Sequence, residues 1–392
     1  MPPPPASSVL RQFDQELSAL ESAGQLRQLE ALHGINLCSN DYLGLSTDPR
    51  LRQAVVTALA QGAAAGSTGS RLLSGNADAW EELESDLAHF AGSEAALYFG
   101  SGYAANMGLL GCIARPEDVI FSDSANHASI IDGIRLSGAR KVIFPHLDLD
   151  VLENALLDHI SSVARKFIVV ESVFSMDGDR APIPELVALA ERYGAELIVD
   201  EAHATGVFGP QGRGLVAAAG ATDRVFATVH PCGKAFASMG AFVCGSETLK
   251  RFLINRARTF IFSTALPPYL AAQIYAAVLV IRDADAQRER LAAKATFLRG
   301  RLREAGFDAL RSDSQIIPVV LGANERALHF AARLAEAGFA TRAIRPPTVP
   351  EGAARLRLSL NVGLSAETLS RLADELIRIR EQSVVFASSA GQ

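Results

Sequence analysis

The chain has 392 residues, 49% of them hydrophobic, with a formal net charge of −6 and a sequence pI near 5.8. That length supports a large core and two or three domains, and basic residues scattered along it give no electrostatic case for nucleic acid or an anionic membrane as partner. Cys38, Cys112, Cys232 and Cys244 fall at irregular spacings that predict neither a zinc site nor a disulfide framework, which leaves buried free thiols in a reducing cytoplasm.

The opening MPPPPASSVL lacks the basic and apolar regions of a signal peptide. Residues 8–32 carry apolar positions at helical spacing, and the short strand-like GINLCS follows; residues 1–49 read as an N-terminal arm. Over residues 50–282 helical patterns alternate with short apolar runs: AALYF 95–99, DVIFSD 118–123, KVIFP 141–145, KFIVVES 166–172, ELIVDEAH 196–203, RVFATV 224–229 and AFVCG 241–245. Such alternation predicts an α/β domain with a mostly parallel central sheet and helices on both faces. The apolar YLAAQIYAAVLVI, residues 269–281, is too short to span a bilayer and reads as a buried helix. From residue 283 a charged stretch predicts a long exposed helix, a bridge to a small α+β domain within 283–392. There SQIIPVVLG, FATRAIR and RLRLSLN read as strands and SVVFASSAGQ as a loose tail.

Ligands of parallel sheets sit at the carboxyl ends of the strands, and there the unusual residues of this chain collect. In YFGSGYAANMGLL, residues 98–110, Gly100, Ser101 and Gly102 lead from a strand into a helix whose free N–H groups and dipole favour a phosphate. The same letters satisfy the dinucleotide fingerprint G-x-G-x-x-A, with Asp123 about twenty residues on, so an NAD oxidoreductase is a rival reading. The DEAH of residues 200–203 matches a helicase box, but no phosphate loop of the G-x-x-x-x-G-K-[ST] kind exists to serve it. A metal at Asp200 and His203 lacks an evident third ligand. Lys234, alone among small residues in ATVHPCGKAFASMG, is either an exposed loop lysine or the centre of a site. A phosphate cradle, a strand-end aspartate with a nearby histidine and an isolated lysine are together the parts that hold pyridoxal 5′-phosphate (PLP). His127, after another strand, is placed to lie over the ring face.

Blocks spread over about residues 8–380 resemble, in order, the α-oxoamine synthases among fold-type-I PLP enzymes. They are NDYLGLS 40–46, GSTGSRLLSGN 66–76, SGYAAN 101–106, NHASIIDGIRLSGA 126–139, ESVFSMDGDRAPI 171–183, VDEAHATGVFGPQGRG 199–214, CGKAF 232–236 and FSTALPP 262–268. The segment AIRPPTVPEGAARLRLSL, 343–360, is most similar to the branch that makes 8-amino-7-oxononanoate for biotin. The resemblance implies that L-alanine condenses with a pimeloyl thioester, of coenzyme A or an acyl carrier protein, with loss of CO2 and release of the thiol.

By the same resemblance Lys234 carries the cofactor and acts as the acid–base amine, Asp200 pairs with the pyridinium, His203 bonds the phenolic oxygen and His127 stacks on the ring. Ser101, Gly102 and Tyr103 form the phosphate end, Ser175 faces the cofactor, and Ser263 and Thr264 come from the partner of a homodimer. Arg357, helped by Asn40, grips the amino-acid carboxylate, a bidentate task suited to guanidinium, while Arg27 and Thr348 contact the acyl substrate. Two places depart from the family pattern. Pro231 stands where a Thr or Ser usually bonds the phosphate, which leaves His230 as the available substitute, and SLNVGLS 359–365 replaces a TLTAAH segment. Glycine C-acetyltransferase, 5-aminolevulinate synthase, serine palmitoyltransferase and α-aminoketone signal synthases share such a site and differ in amino acid and acyl length, which sequence patterns resolve poorly. A degenerate, non-enzymatic scaffold is disfavoured because every reactive position expected for PLP is occupied.

Overall fold

The computed structural model describes residues 8–160 and 163–389, so the prolines at 2–5 lie outside the described residues. Helix α1 (Ser8–Ser22) buries none of its residues. The helical pattern expected to residue 32 stops early because Gly24 takes a left-handed φ of 61° and Gln25 N–H bonds the Leu20 carbonyl at 2.7 Å, which closes the last turn. Strand β1 (Ile35–Asn36) follows, then helices α2 (Pro49–Ala60) and α3 (Asp78–Ala91).

Next come β2 (Ala95–Phe99), α4 (Gly102–Ile113), β3 (Val119–Asp123), α5 (Ala128–Ser137), β4 (Arg140–Phe144), α6 (Leu149–Asp158), β5 (Lys166–Glu171), α7 (Ile183–Tyr193), β6 (Ala195–Asp200), α8 (Leu215–Ala218), β7 (Ala227–Pro231) and β8 (Ala241–Gly245). These seven strands form one sheet in the order β2-β8-β7-β6-β5-β3-β4. Only β8 runs against its neighbours; the remaining pairs are parallel. Five of the strands, β2, β3, β5, β7 and β8, are buried over nearly their whole length, as expected of a sheet covered on both faces. One face packs Leu109, Leu110, Ile130 and Phe260 over the strands, the other Leu152, Leu156, Leu186 and Val187. Strand β7 starts three residues later than its sequence pattern suggests and ends on Pro231, a position that matters below.

Helices α9 (Glu247–Arg256), α10 (Arg258–Ile261) and α11 (Tyr269–Arg282) lead to α12 (Asp285–Glu304), β9 (Ile316–Gly322), α13 (Asn324–Glu336), β10 (Phe339–Ala340), β11 (Ala343–Ile344), β12 (Ala354–Ser359) and α14 (Ala366–Ser389). Ile274, Ala277, Val278 and Ile281 bury one side of α11 in the core, in line with its apolar sequence. Helix α12 is not wholly exposed: Arg288, Leu291, Ala295, Leu298 and Leu302 make a buried stripe under its charged face. FATRAIR divides into β10, which pairs with β1, and β11, which pairs with β12 in the antiparallel sheet β11-β12-β9. The tail expected from residue 383 is helical as far as Ser389, and residues 390–392 lie outside the described residues. Of the four free cysteines, Cys232 and Cys244 are buried while Cys38 and Cys112 are partly exposed, so burial holds for half of them. No described helix is long and apolar enough to cross a membrane.

Candidate active site

Strands β3, β5, β6 and β7 end side by side on Asp123, Glu171, Asp200 and Pro231. Past β7 the chain turns back into β8 through residues 232–240. The turn is closed by Cys232 N–H on the Gly240 carbonyl at 2.9 Å and Ser238 N–H on the Cys232 carbonyl at 3.0 Å. Lys234 is carried on this turn, partly buried, so it is not the exposed loop lysine that its neighbours alone allow. Burial pushes its pKa below the usual lysine range, the nearby Asp200 and Glu171 carboxylates pull it back up, and Arg357 adds to the depression. Three groups from distant parts of the chain thus act on one amine.

Asp200 is buried, with Oδ2 accepting from Asn106 Nδ2 at 2.7 Å and Oδ1 from Ala202 N–H at 2.9 Å. Three residues on, buried His203 places Nδ1 2.6 Å from the Tyr42 hydroxyl, and its carbonyl accepts from Gln315 Nε2 at 2.9 Å. Desolvation, then the positive charges of Lys234, Arg357 and His127, drive the His203 pKa well below the usual imidazole value. His127 caps α5, with its Nδ1 accepting from Ser129 N–H at 3.2 Å and lying 2.8 Å from Ser129 Oγ. Burial lowers its pKa, which the Asp200 charge partly reverses and Lys234 reinforces.

Arg357, on β12, reaches across from the smaller sheet. Its Nη1 donates to Asn40 Oδ1 at 3.0 Å and Ser359 Oγ at 2.7 Å, and its Nε to the Ser175 carbonyl. Its Nη2 is buried with no partner among the described residues. A buried guanidinium nitrogen left open is costly unless a ligand completes it. Arg27 Nη2 donates to Thr348 Oγ1 at 3.1 Å on the rim of a cleft of about 530 Å³ that Arg342 and Arg345 also line.

Ser101 caps α4, its Oγ accepting from Ala104 N–H at 3.0 Å. The first-turn N–H groups of Gly102 and Tyr103 have no acceptor within the helix. A side chain at Gly102 would bring its Cβ to 2.9 Å from Pro231 Cγ, so glycine keeps the cradle open against the proline ring. The Tyr103 ring meets His127 edge-on with centroids 6.2 Å apart, and its hydroxyl bonds Asp132.

The expectation that His230 substitutes for the missing phosphate hydroxyl is corrected. Its Nδ1 lies 2.8 Å from Thr205 Oγ1 and its Nε2 2.7 Å from Thr228 Oγ1, and its ring stacks on Phe242 with centroids 4.6 Å apart. Both nitrogens are engaged inside the sheet, and burial pushes the pKa down to about 3, so no donor remains for an anion. Ser263 and Thr264 are exposed on the segment after α10, where Thr264 bridges to Ser70, beside Gly100 and Arg71.

Glu171, Tyr42 and Asn106 escape the sequence reading as site residues. Glu171 ends β5 in register with Asp200. Burial, then the Asp200 charge, raise its pKa to about 8 against backbone N–H groups of His127 and Ser175 and the charge of Lys234, and its Oε1 has no partner among the described residues. The sequence signal for it was its place at a strand end; Tyr42 and Asn106 had only their presence in matching blocks.

The donor set fits PLP: open N–H groups and a glycine at the phosphate end, a hydrogen-bonded carboxylate for a ring nitrogen, a desolvated lysine, and an unpartnered guanidinium N–H for a substrate carboxylate. Fold and site together define a PLP-dependent transferase of fold type I. The profile of the family "Aminotransferase class I and II" matches residues 33–376, and the chain belongs to that family. More narrowly, it is similar to 8-amino-7-oxononanoate synthase of Anaeromyxobacter dehalogenans, 45% identical over 92% of this chain and 93% of the relative. The 8-amino-7-oxononanoate synthase of Geobacter sulfurreducens is 43% identical over 95% and 98%. Among solved structures, serine palmitoyltransferase of Sphingomonas wittichii superposes with a TM-score of 0.90 at 31% identity, covering 97% of this chain and 100% of that one. These likenesses place the chain among the α-oxoamine synthases.

Proposed function

We propose that the protein is a PLP-dependent acyltransferase that condenses L-alanine with a pimeloyl thioester, of coenzyme A or an acyl carrier protein, to give 8-amino-7-oxononanoate, CO2 and the free thiol. The observation that carries the site assignment is the buried, unpartnered Nη2 of Arg357 in a site that also holds Lys234 and Asp200. When bound, PLP supplies an electron sink in conjugation with the amino-acid Cα.

The protein's own groups do the rest. Arg357 Nη2 takes the alanine carboxylate while Asn40 and Ser359 hold the guanidinium in place. Lys234 Nζ, its pKa lowered by desolvation, takes the Cα proton and later returns it. Asp200, held as an acceptor by Asn106 and Ala202, would pair with the ring nitrogen and favour its protonated form. His127 would lie against the cofactor ring, and Ser175 stands on the loop whose carbonyl already holds Arg357. Arg27 and Thr348 orient the acyl thioester at the rim. With Pro231 contributing no donor, the phosphate end rests on Ser101, Gly102 and Tyr103, with Ser263 and Thr264 of a second subunit completing it.

The test is the visible absorption of the purified holoenzyme, titrated in turn with L-alanine, glycine and L-serine. A lysine-bound cofactor band that shifts with L-alanine at the lowest concentration, followed by CO2 release on adding pimeloyl thioester, supports the assignment. A band that answers glycine or serine instead moves the chain to another α-oxoamine synthase.

A further inference from the structure

Tyr42 is fully buried, yet it belongs to the N-terminal segment that precedes the large sheet. Its backbone is pinned by Val362 N–H, which donates to the Tyr42 carbonyl at 3.0 Å, just beyond the strand that carries Arg357. The phenol oxygen lies 2.6 Å from His203 Nδ1 and 3.1 Å from Asn40 Oδ1. A phenol has one proton, so only one of these neighbours receives it.

Three features favour the histidine as acceptor. Asn40 Oδ1 already faces donors from Arg357 Nη1 at 3.0 Å and Ser359 Oγ at 3.3 Å, which fill its two lone pairs. The contact to His203 is shorter by half an ångström, at the length of a strong hydrogen bond to nitrogen. A phenol is also a far stronger acid than a neutral imidazole N–H, and desolvation together with Lys234, Arg357 and His127 keeps His203 neutral. We infer that Tyr42 is a positioning residue: its O–H donates to His203 Nδ1 and so fixes the ring as the Nε2–H tautomer, which presents a donor to the phenolic oxygen of the cofactor. No described protein group bonds that Nε2. The inference rests on the PLP reading of the site but on no choice of amino-acid substrate.

The opposite tautomer would meet the cofactor oxygen with a lone pair, because both ring nitrogens cannot carry protons in a neutral imidazole. The tautomer therefore decides whether the site holds or repels the phenolate form of the cofactor.

The experiment is ¹⁵N NMR of histidine-labelled, cofactor-free protein, wild type beside Tyr42→Phe, with His203 assigned by its loss in His203→Gln. The expected wild-type spectrum has a protonated Nε2 and an unprotonated, hydrogen-bonded Nδ1. In Tyr42→Phe that Nδ1 shift is lost and the two tautomers mix, while the equilibrium dissociation constant for PLP rises about three- to thirtyfold. Protonated Nδ1 in the wild type overturns the inference, as does an unchanged tautomer in a folded Tyr42→Phe protein. Both readings are made without substrate, so failure of the alanine assignment in the absorption titration leaves this result standing on its own.

Discussion

At the scale of single residues, two carboxylates in register on neighbouring strands have unlike surroundings. Asp200 has its oxygens satisfied by Asn106 and Ala202, whereas Glu171 is buried with one oxygen open and a pKa raised to about 8. Like charges held together in low dielectric push one proton on. Asp200→Asn is expected to bind PLP within about tenfold of wild type and to lose at least about a thousandfold in turnover, measured as CO2 release, because a neutral amide cannot keep the ring nitrogen protonated. A variant with wild-type-like rates would sink the assignment of Asp200. Glu171 makes a pH prediction of the other kind. Its folded pKa lies above the unfolded value, so it costs no stability below about pH 4.5, and the cost grows as pH rises toward 8. Glu171→Gln should therefore gain on wild type in urea-denaturation midpoint between pH 5 and pH 9; a difference that stays flat across that range would show Glu171 to be ionised in the native state.

At the scale of elements, the segment 172–180 after β5 joins the two sheets. Ser175 accepts from Arg357, Asp177 pairs with Arg355 and Arg180 with Asp313 at 2.5 Å. Gly178, at φ 70°, passes so close to β9 that a Cβ would sit 2.1 Å from the Ile316 carbonyl. On the large-sheet side this segment is tied by His146, with Nε2 2.8 Å from Asp179 Oδ2 and Nδ1 2.9 Å from Asp123 Oδ1. Burial works against the charged imidazole, but the two carboxylates outweigh it and raise its pKa to about 10. The stability this gives is complete below the unfolded pKa near 6.5 and disappears as pH rises through about 10. His146→Gln is accordingly expected to destabilise strongly at pH 6 and little at pH 10.5, measured by thermal midpoint at each pH. A loss equal at both pH values would mean that the ring acts by packing against Phe174 and not by charge.

At the scale of the whole molecule, the chain's beginning and end meet at the site. Strand β1 pairs with β10, Leu37 and Tyr42 are buried in the core, and Asn40 holds Arg357, while α1 buries nothing. Deleting residues 1–22 is expected to change the thermal midpoint by less than about 3 °C. Deleting residues 1–42 should abolish the spectral response to L-alanine, because Arg357 then loses Asn40 and His203 loses Tyr42. Retention of that response would show that these contacts are dispensable. Much of this architecture was legible beforehand: the seven strands of the large sheet, α11, and the clustering of Asp200, His203 and Lys234 at strand ends all follow from local apolar runs and their polar punctuation. The role of His230 is not legible in the sequence because its two threonine partners, Thr205 and Thr228, come from a neighbouring turn and from its own strand, and nothing in HPCGK reports that the ring faces into the sheet. The stripe beneath α12 was hidden by charges such as Arg288, whose guanidinium turns back to the Ile281 carbonyl at 2.7 Å.

The sequence by itself determined the fold class, the cofactor chemistry and the family, since strand composition, helix starts and ordered motif blocks are local signals that survive without coordinates. Only the tertiary structure decided which charges share one low-dielectric volume, and therefore that Lys234 and His203 are depressed, that Glu171 is raised, and that Arg357 keeps one terminal nitrogen open. The physical reason is that desolvation and hydrogen-bond satisfaction depend on neighbours brought in from far along the chain, as when Tyr42 meets His203 across 161 residues and Asn40 meets Arg357 across 317.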